Sequence, residues 1–179
     1  MAYSTIVADP PWLERGGGKI KRGADRHYTL MRKREIITLM KKWMTEHGIE
    51  ENAHMYLWVT NNHLREGLAV MEACDFRYVT NLCWAKPSFG IGQYFRGMHE
   101  LCLFGVRGKG YEVRTAARNI PSIFQAPKAQ HSRKPIRFYE FVEDRSFGPY
   151  LYLFSRSVRE GWTMLGQEKG IFDDRRRKQ

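Results

Sequence analysis

Cysteine is scarce in this 179-residue chain. There are three, Cys74, Cys83 and Cys102, and no two form a C-x-x-C pair, which argues against a thiolate zinc site and a disulfide framework. Each sits among apolar or aromatic neighbours and reads as a reduced core residue of an intracellular protein. No apolar run approaches the ~18 residues of a membrane span. The chain opens directly on a strand-like segment, without the pattern of a signal peptide, so a cytoplasmic protein with no membrane partner is expected. No internal repeat is present, and no G-x-G-x-x-G follows the first strand. Acids are also in deficit: 30 lysines and arginines face 19 aspartates and glutamates, for a formal charge of +11. Such an excess is either a solvated basic surface or the footprint of a polyanion such as nucleic acid, whose phosphates it would neutralise. Arg175, Arg176, Arg177 and Lys178 extend it into a short basic tail.

Apolar and aromatic residues are plentiful. They reach 42% and 13% of the chain, enough for one sizeable core. The length fits a single domain, residues 1–170, followed by the tail 171–179. Residues 3–8 read as a strand and 13–28 as a Gly-rich basic loop. Ile36, Ile37, Leu39, Met40, Trp43 and Met44 recur at helical spacing within 32–47. Residues 54–60 read as a strand, and Leu64, Leu68 and Met71 mark a second helix. Two further strands, 78–85 and 99–106, are separated by a second Gly-rich loop, 88–98. Ser132 and Pro135 are placed to open a third helix, and 150–155 and 162–166 are strands. Strands alternating with helices predict an α/β fold with a largely parallel sheet, whose ligands bind at the carboxyl ends of strands.

One strand end stands out. The run Tyr3 to Ala8 stops at Asp9-Pro10-Pro11-Trp12. Prolines end strands, because they lack an amide donor and fix φ. A carboxylate on a rigid turn has a specific use with an adenine amine, whose lone pair is delocalised into the ring. If Asp9 accepts one N–H and the Pro10 carbonyl the other, the lone pair localises on nitrogen. Trp12 could stack on the base. The other reading of these four residues is a turn after a strand, with Trp12 packed on the core.

Seven blocks decide between the two. In order, they are Asp9-Pro10-Pro11-Trp12, His27-Tyr28-Thr29-Leu30-Met31, Tyr56-Leu57-Trp58-Val59-Thr60, His99-Glu100-Leu101, His131-Ser132-Arg133-Lys134-Pro135, Leu153-Phe154-Ser155-Arg156, and Gly161-Trp162 with Leu165-Gly166-Gln167-Glu168. They resemble the adenine-N6 methyltransferase family that contains the catalytic subunit of the eukaryotic mRNA adenosine methyltransferase, and the short chain is most similar to its bacterial and phage branch. The resemblance implies a Rossmann-like methyltransferase sheet and S-adenosyl-L-methionine as cofactor. It also implies a permuted order, with the catalytic strand before the cofactor-binding segments.

The resemblance implies roles as well. Asp9 holds the target amine and lies near the cofactor's ammonium, and Pro10, Pro11 and Trp12 complete the catalytic turn. Tyr28 and Glu100 line the base pocket; Arg96, on the loop 88–98, is a substrate-binding candidate from its charge, expected to contact phosphates. Lys134, expected in the first turn of the third helix, opposes the helix dipole there and needs an anion; the family supplies the cofactor carboxylate. Arg156 reaches the ribose, while Gly166, Gln167 and Glu168 close over the adenosine. No metal is implied. Tyr152 departs from the family by standing where a ribose-binding acid is usual. The basic loops would contact phosphates, which position without reading sequence, so relaxed specificity, or specificity borrowed from a second copy or partner subunit, is expected. DNA is the expected substrate, RNA the alternative, and a non-catalytic nucleic-acid-binding subunit the competing class.

Overall fold

Thr5, Ile6, Val7 and Ala8 are all 0% exposed, and the sheet explains why four consecutive residues can be buried. β1 (Tyr3–Ala8) pairs in parallel with β2 (Ile49–Val59) on one side and with β6 (Tyr150–Leu153) on the other. A strand flanked on both sides and covered on both faces reads as one continuous apolar run. The computed structural model describes residues 1–13, 30–90, 92, 94–109, 119–127, 133–166 and 172–173.

The main sheet has the order β5-β3-β4-β2-β1-β6-β8, with β3 at Arg77–Ala85, β4 at His99–Arg107, β5 at Ile123–Gln125 and β8 at Trp162–Leu165, while β7 (Ser157–Val158) pairs outside it with β9 (Phe172–Asp173). Six strands run one way. β4 alone is antiparallel to its neighbours, β2 and β3. Side-chain alternation divides the core into two layers. Ile6, Ala8, Met55, Leu57, Val59, Leu151 and Leu153 pack with Ile36 and Met40 of α1 (Lys33–His47) and with Val70 and Met71 of α2 (Leu64–Ala73). Val7, Tyr56, Trp58, Cys102, Tyr152 and Met164 pack with Phe138, Tyr139, Phe141 and Val142 of α3 (Ile136–Arg145). This is the mixed α/β, mostly parallel architecture of a Rossmann-like methyltransferase, with the first strand of the chain near its middle.

The structure revises three boundaries. β2 starts at Ile49 rather than 54, because its polar opening residues extend the strand beyond the core and Ile49 pairs with Tyr3. β6 stops at Leu153 rather than 155, because Phe154 turns to a left-handed φ of 62°. α3 begins at Ile136 with Pro135 as its N-cap, so Lys134 precedes the helix instead of lying in its first turn. Ser132 falls outside the described residues. Among those residues, no helix is long and apolar enough to cross a membrane.

Candidate active site

Alternation also decides which side chains meet at the carboxyl edge of the sheet. Asp9 continues the face of Val7, Lys86 that of Trp84, and Glu100 that of Cys102; Trp58 shares this layer. Because β4 runs backwards, its opening residues lie where the parallel strands end, and Glu100 is brought to Asp9. The segment entering α3 brings Lys134 over the same face.

Lys134 Nζ is 3.0 Å from Asp9 Oδ1 and 3.0 Å from Glu100 Oε2. The other Glu100 oxygen, Oε1, accepts from Lys86 Nζ. The result is a chain of alternating charge, Lys86–Glu100–Lys134–Asp9. Each ammonium also lies over an indole, Lys134 4.7 Å from the Trp58 ring centre and Lys86 4.7 Å from that of Trp84, a favourable placement for a desolvated cation. The lysine side chains are 7% and 9% exposed and the Asp9 and Glu100 side chains 20% and 26%, so the open side of the chain is anionic.

These neighbours set the protonation states. Burial works against the Glu100 charge, but Lys134 and Lys86 outweigh it and hold the carboxyl down at about 2. Burial also opposes the Lys134 charge, yet Asp9 and Glu100 keep the ammonium above its ordinary range. Asp9 goes the other way. Burial raises its pKa, and Lys134 offsets that only in part; Glu100 adds to the rise and Arg156 opposes it.

The Asp9 turn is clamped from several sides. Its N–H donates to Leu153 O at 3.2 Å, and Pro10 O accepts the Trp12 N–H at 2.9 Å. Pro11 O accepts the Met31 N–H at 2.8 Å, and Leu13 N–H donates to Met31 O at 3.1 Å. Trp12 is not a free stacking platform. It is 5% exposed, its indole N–H donates to Trp58 O at 2.9 Å, and its ring stacks on His63 at 5.4 Å. His63 is held in turn by Thr60 Oγ1 at 2.7 Å and Leu13 O at 3.1 Å. The ring fits core packing better than base stacking and anchors the turn.

At the ends of β6 and β8, Ser155 N–H donates to Leu165 O at 2.8 Å. Gly166 lies so close that an added Cβ would overlap the Ser155 carbonyl oxygen, which explains a glycine there. Tyr152 is 3% exposed. Burial lifts its phenol well above the ordinary range, and it bonds to Tyr139, so it stays neutral inside the core layer. Trp58 is 1% exposed, and its indole N–H has no acceptor among the described residues.

Asp9, Glu100, Lys134 and Arg156, drawn from blocks far apart in the chain, thus act on one another. Arg96 stands apart on the exposed loop, donating to Gly90 O at 2.8 Å, and His99 is exposed. Tyr28, Gln167 and Glu168 lie outside the described residues. Sequence reasoning missed Lys86. Its signal is one it shares with Asp9: a charge that ends a strand directly before a proline. Among the described residues, no group of three or more His, Cys, Asp or Glu could hold a metal ion.

A protein-family model described as MT-A70 matches residues 3–168. Among curated proteins, the chain is similar to a Type II methyltransferase, M.MunI, from a Mycoplasma species. The two are 25% identical over 182 residues, covering 93% of this chain and 77% of that protein.

Proposed function

The chain belongs to the MT-A70 family of methyltransferases, and from that premise we propose that it methylates the exocyclic N6 amine of adenine in DNA with relaxed sequence specificity, using S-adenosyl-L-methionine. The observation that carries this reading is the Asp9 carboxylate, fixed just past a central strand with the Lys134 ammonium 3.0 Å away. The Asp9 carboxylate accepts one N–H of the amine. Pro10 O, already bonded to the Trp12 amide, has a second lone pair for the other. Both acceptors are held before substrate arrives, so the amine lone pair is localised without reorganisation. The same carboxylate takes the proton that the amine sheds, a role suited to a group whose pKa burial raises.

The residues present fit the cofactor. Its amino-acid end carries both charges, and Asp9 and Lys134 offer the two complementary ones side by side. Gly166 allows close backbone approach, Arg156 stands just past β6, and the buried Trp58 N–H is a donor awaiting an acceptor. When bound, S-adenosyl-L-methionine supplies an electrophilic methyl group. Tyr152 cannot replace the ribose-binding acid, so ribose contacts fall to Arg156 and to residues beyond β8. A charge of +11 and the likeness to a Type II methyltransferase support a nucleic-acid substrate. DNA rather than RNA follows the resemblance to short bacterial and phage members.

The test is to incubate the protein with methyl-labelled cofactor and DNA, then digest to nucleosides. Label on N6-methyladenine is expected. Label on cytosine N4, or on RNA alone, overturns the assignment.

A further inference from the structure

The loop between β3 and β4 presents three aromatic rings to solvent. Phe89 is 69% exposed, Tyr94 103% and Phe95 86%, and none belongs to either core layer. Its described residues are nonetheless tied to one another. Lys86 N–H donates to Met98 O at 2.7 Å and Gly90 N–H to Gly97 O at 2.7 Å, and Arg96 Nε donates to Gly90 O at 2.8 Å. Gly92 has no room for a side chain against the Phe95 carbonyl. Tyr94 takes a left-handed φ of 58°, a strained state that persists only where the surroundings impose it.

We propose that Phe89, Tyr94 and Phe95 form a stacking surface for unpaired nucleobases beside the target base, making a single-stranded or locally opened DNA strand the preferred substrate. The proposal rests on the nucleic-acid reading above and adds strandedness to it. Two observations favour it over burial against another protein. First, both feet of the loop are site residues: Lys86 precedes it, Glu100 follows it, and the two are ion-paired. Phe89, three residues beyond Lys86, lies within ~11 Å of it by chain reach, about three stacked bases. Second, the exposed Arg96 directly follows Tyr94 and Phe95 in the chain, and its guanidinium suits phosphate contacts between successive stacked bases. A base in a duplex must leave the stack before its amine can reach Asp9, and a surface that holds the neighbouring bases lowers that cost.

Two variants test this on the full chain. Tyr94→Asn with Phe95→Ser removes two rings while asparagine tolerates the left-handed backbone. Phe89→Ser removes the third separately. Binding to a fluorescein-labelled, adenine-containing single strand and to its duplex is read by anisotropy. The wild type is expected to prefer the single strand. The double variant should bind that strand about tenfold or more weakly, with an unchanged dependence on salt, since rings release no counterions; Phe89→Ser should show a smaller loss of the same kind. Unchanged affinity in both variants overturns the proposal, as does a wild type that binds neither strand. A switch from dimer to monomer by light scattering, with single-strand affinity kept, also overturns it and assigns the rings to a second copy. Loss of ring-dependent binding in a protein that transfers no methyl group supports this proposal while overturning the methylation reading.

Discussion

The two edges of the sheet carry polar clusters of opposite character. At the amino edge, Ser146 Oγ lies 2.8 Å from His54 Nδ1 and 2.8 Å from Tyr56 OH. Tyr150 OH donates to Ser146 O at 2.9 Å, and Thr5 Oγ1 donates to Phe147 O at 2.6 Å. These are hydroxyls, carbonyls and an imidazole, with Thr5 and Ser146 fully buried, and burial pushes the Tyr56 phenol far above its ordinary range. Their hydrogen bonds close on one another. At the carboxyl edge the groups are charged, two carboxylates stay partly open, and the Trp58 N–H has no acceptor among the described residues. The first cluster holds β2, α3 and β6 together. The second keeps spare capacity, which the proposed cofactor and substrate would use.

The largest break in this comparison comes from paired variants. Asp9→Asn keeps the shape of the turn and should lower kcat ~10²–10³-fold, with the urea midpoint almost unmoved because burial already disfavours the Asp9 charge. Ser146→Val should do the reverse, leaving kcat nearly unchanged and costing ~1–3 kcal/mol for orphaned buried partners. A reversal of either pattern, in single-turnover kinetics and urea unfolding, would erase the distinction between the edges.

Next in size is Lys134→Met. Loss of a charge-assisted contact should weaken cofactor binding by roughly 10- to 100-fold, measured by calorimetry. Lys134 lowers the Asp9 pKa, so its removal should also move the acidic limb of the pH–activity profile to higher pH. An unmoved limb would separate the two residues functionally.

Stability against acid is a finer test, because the two carboxylates have opposite signs. Glu100 falls from its ordinary 4.5 to about 2 on folding. Its contribution is complete above pH 4.5 and is lost as pH falls towards 2. Asp9 is raised, so its protonation favours the folded state as pH falls. Glu100→Gln should therefore flatten the loss of stability between pH 4.5 and 2 in urea titrations, while Asp9→Asn should steepen it. The smallest effect belongs to the exposed Arg137–Glu140 pair, 2.9 Å apart with side chains 58% and 45% exposed. Arg137→Ala should change stability by less than ~0.5 kcal/mol, and a larger change would give weight to the guanidinium's place over the Phe141 ring, 4.7 Å away.

Asp9 is legible in the sequence because an acid and two prolines cannot continue a buried strand. Lys134 is legible as a cation in need of anions, but its partners are not, since they depend on β4 running backwards. The residues His99-Glu100-Leu101-Cys102 suit either direction equally; only pairing with β2 and β3 decides it. Trp12 is ambiguous for a similar reason. Whether its ring faces a ligand or the core depends on His63, on a turn beyond β2. Lys86 carries a readable signal, hidden by the abundance of lysine in so basic a chain. The alternation of strands and helices gives the fold class, because apolar periodicity is local, whereas sheet order is not.

The place of β1 has a consequence for synthesis. It leaves the ribosome before both of its neighbours in the sheet, β2 and β6, and well before β6, where Thr5 pairs with Tyr150. Until residues 150–153 exist, one flank of a strand that is largely buried in the finished fold is an open edge, ready to pair with any other chain. Closure across so long a sequence separation is slow. Until then Asp9 lacks the Leu153 carbonyl that accepts its N–H in the finished fold. Chaperone dependence during expression should follow from the order of its strands more than from any weakness in the finished core.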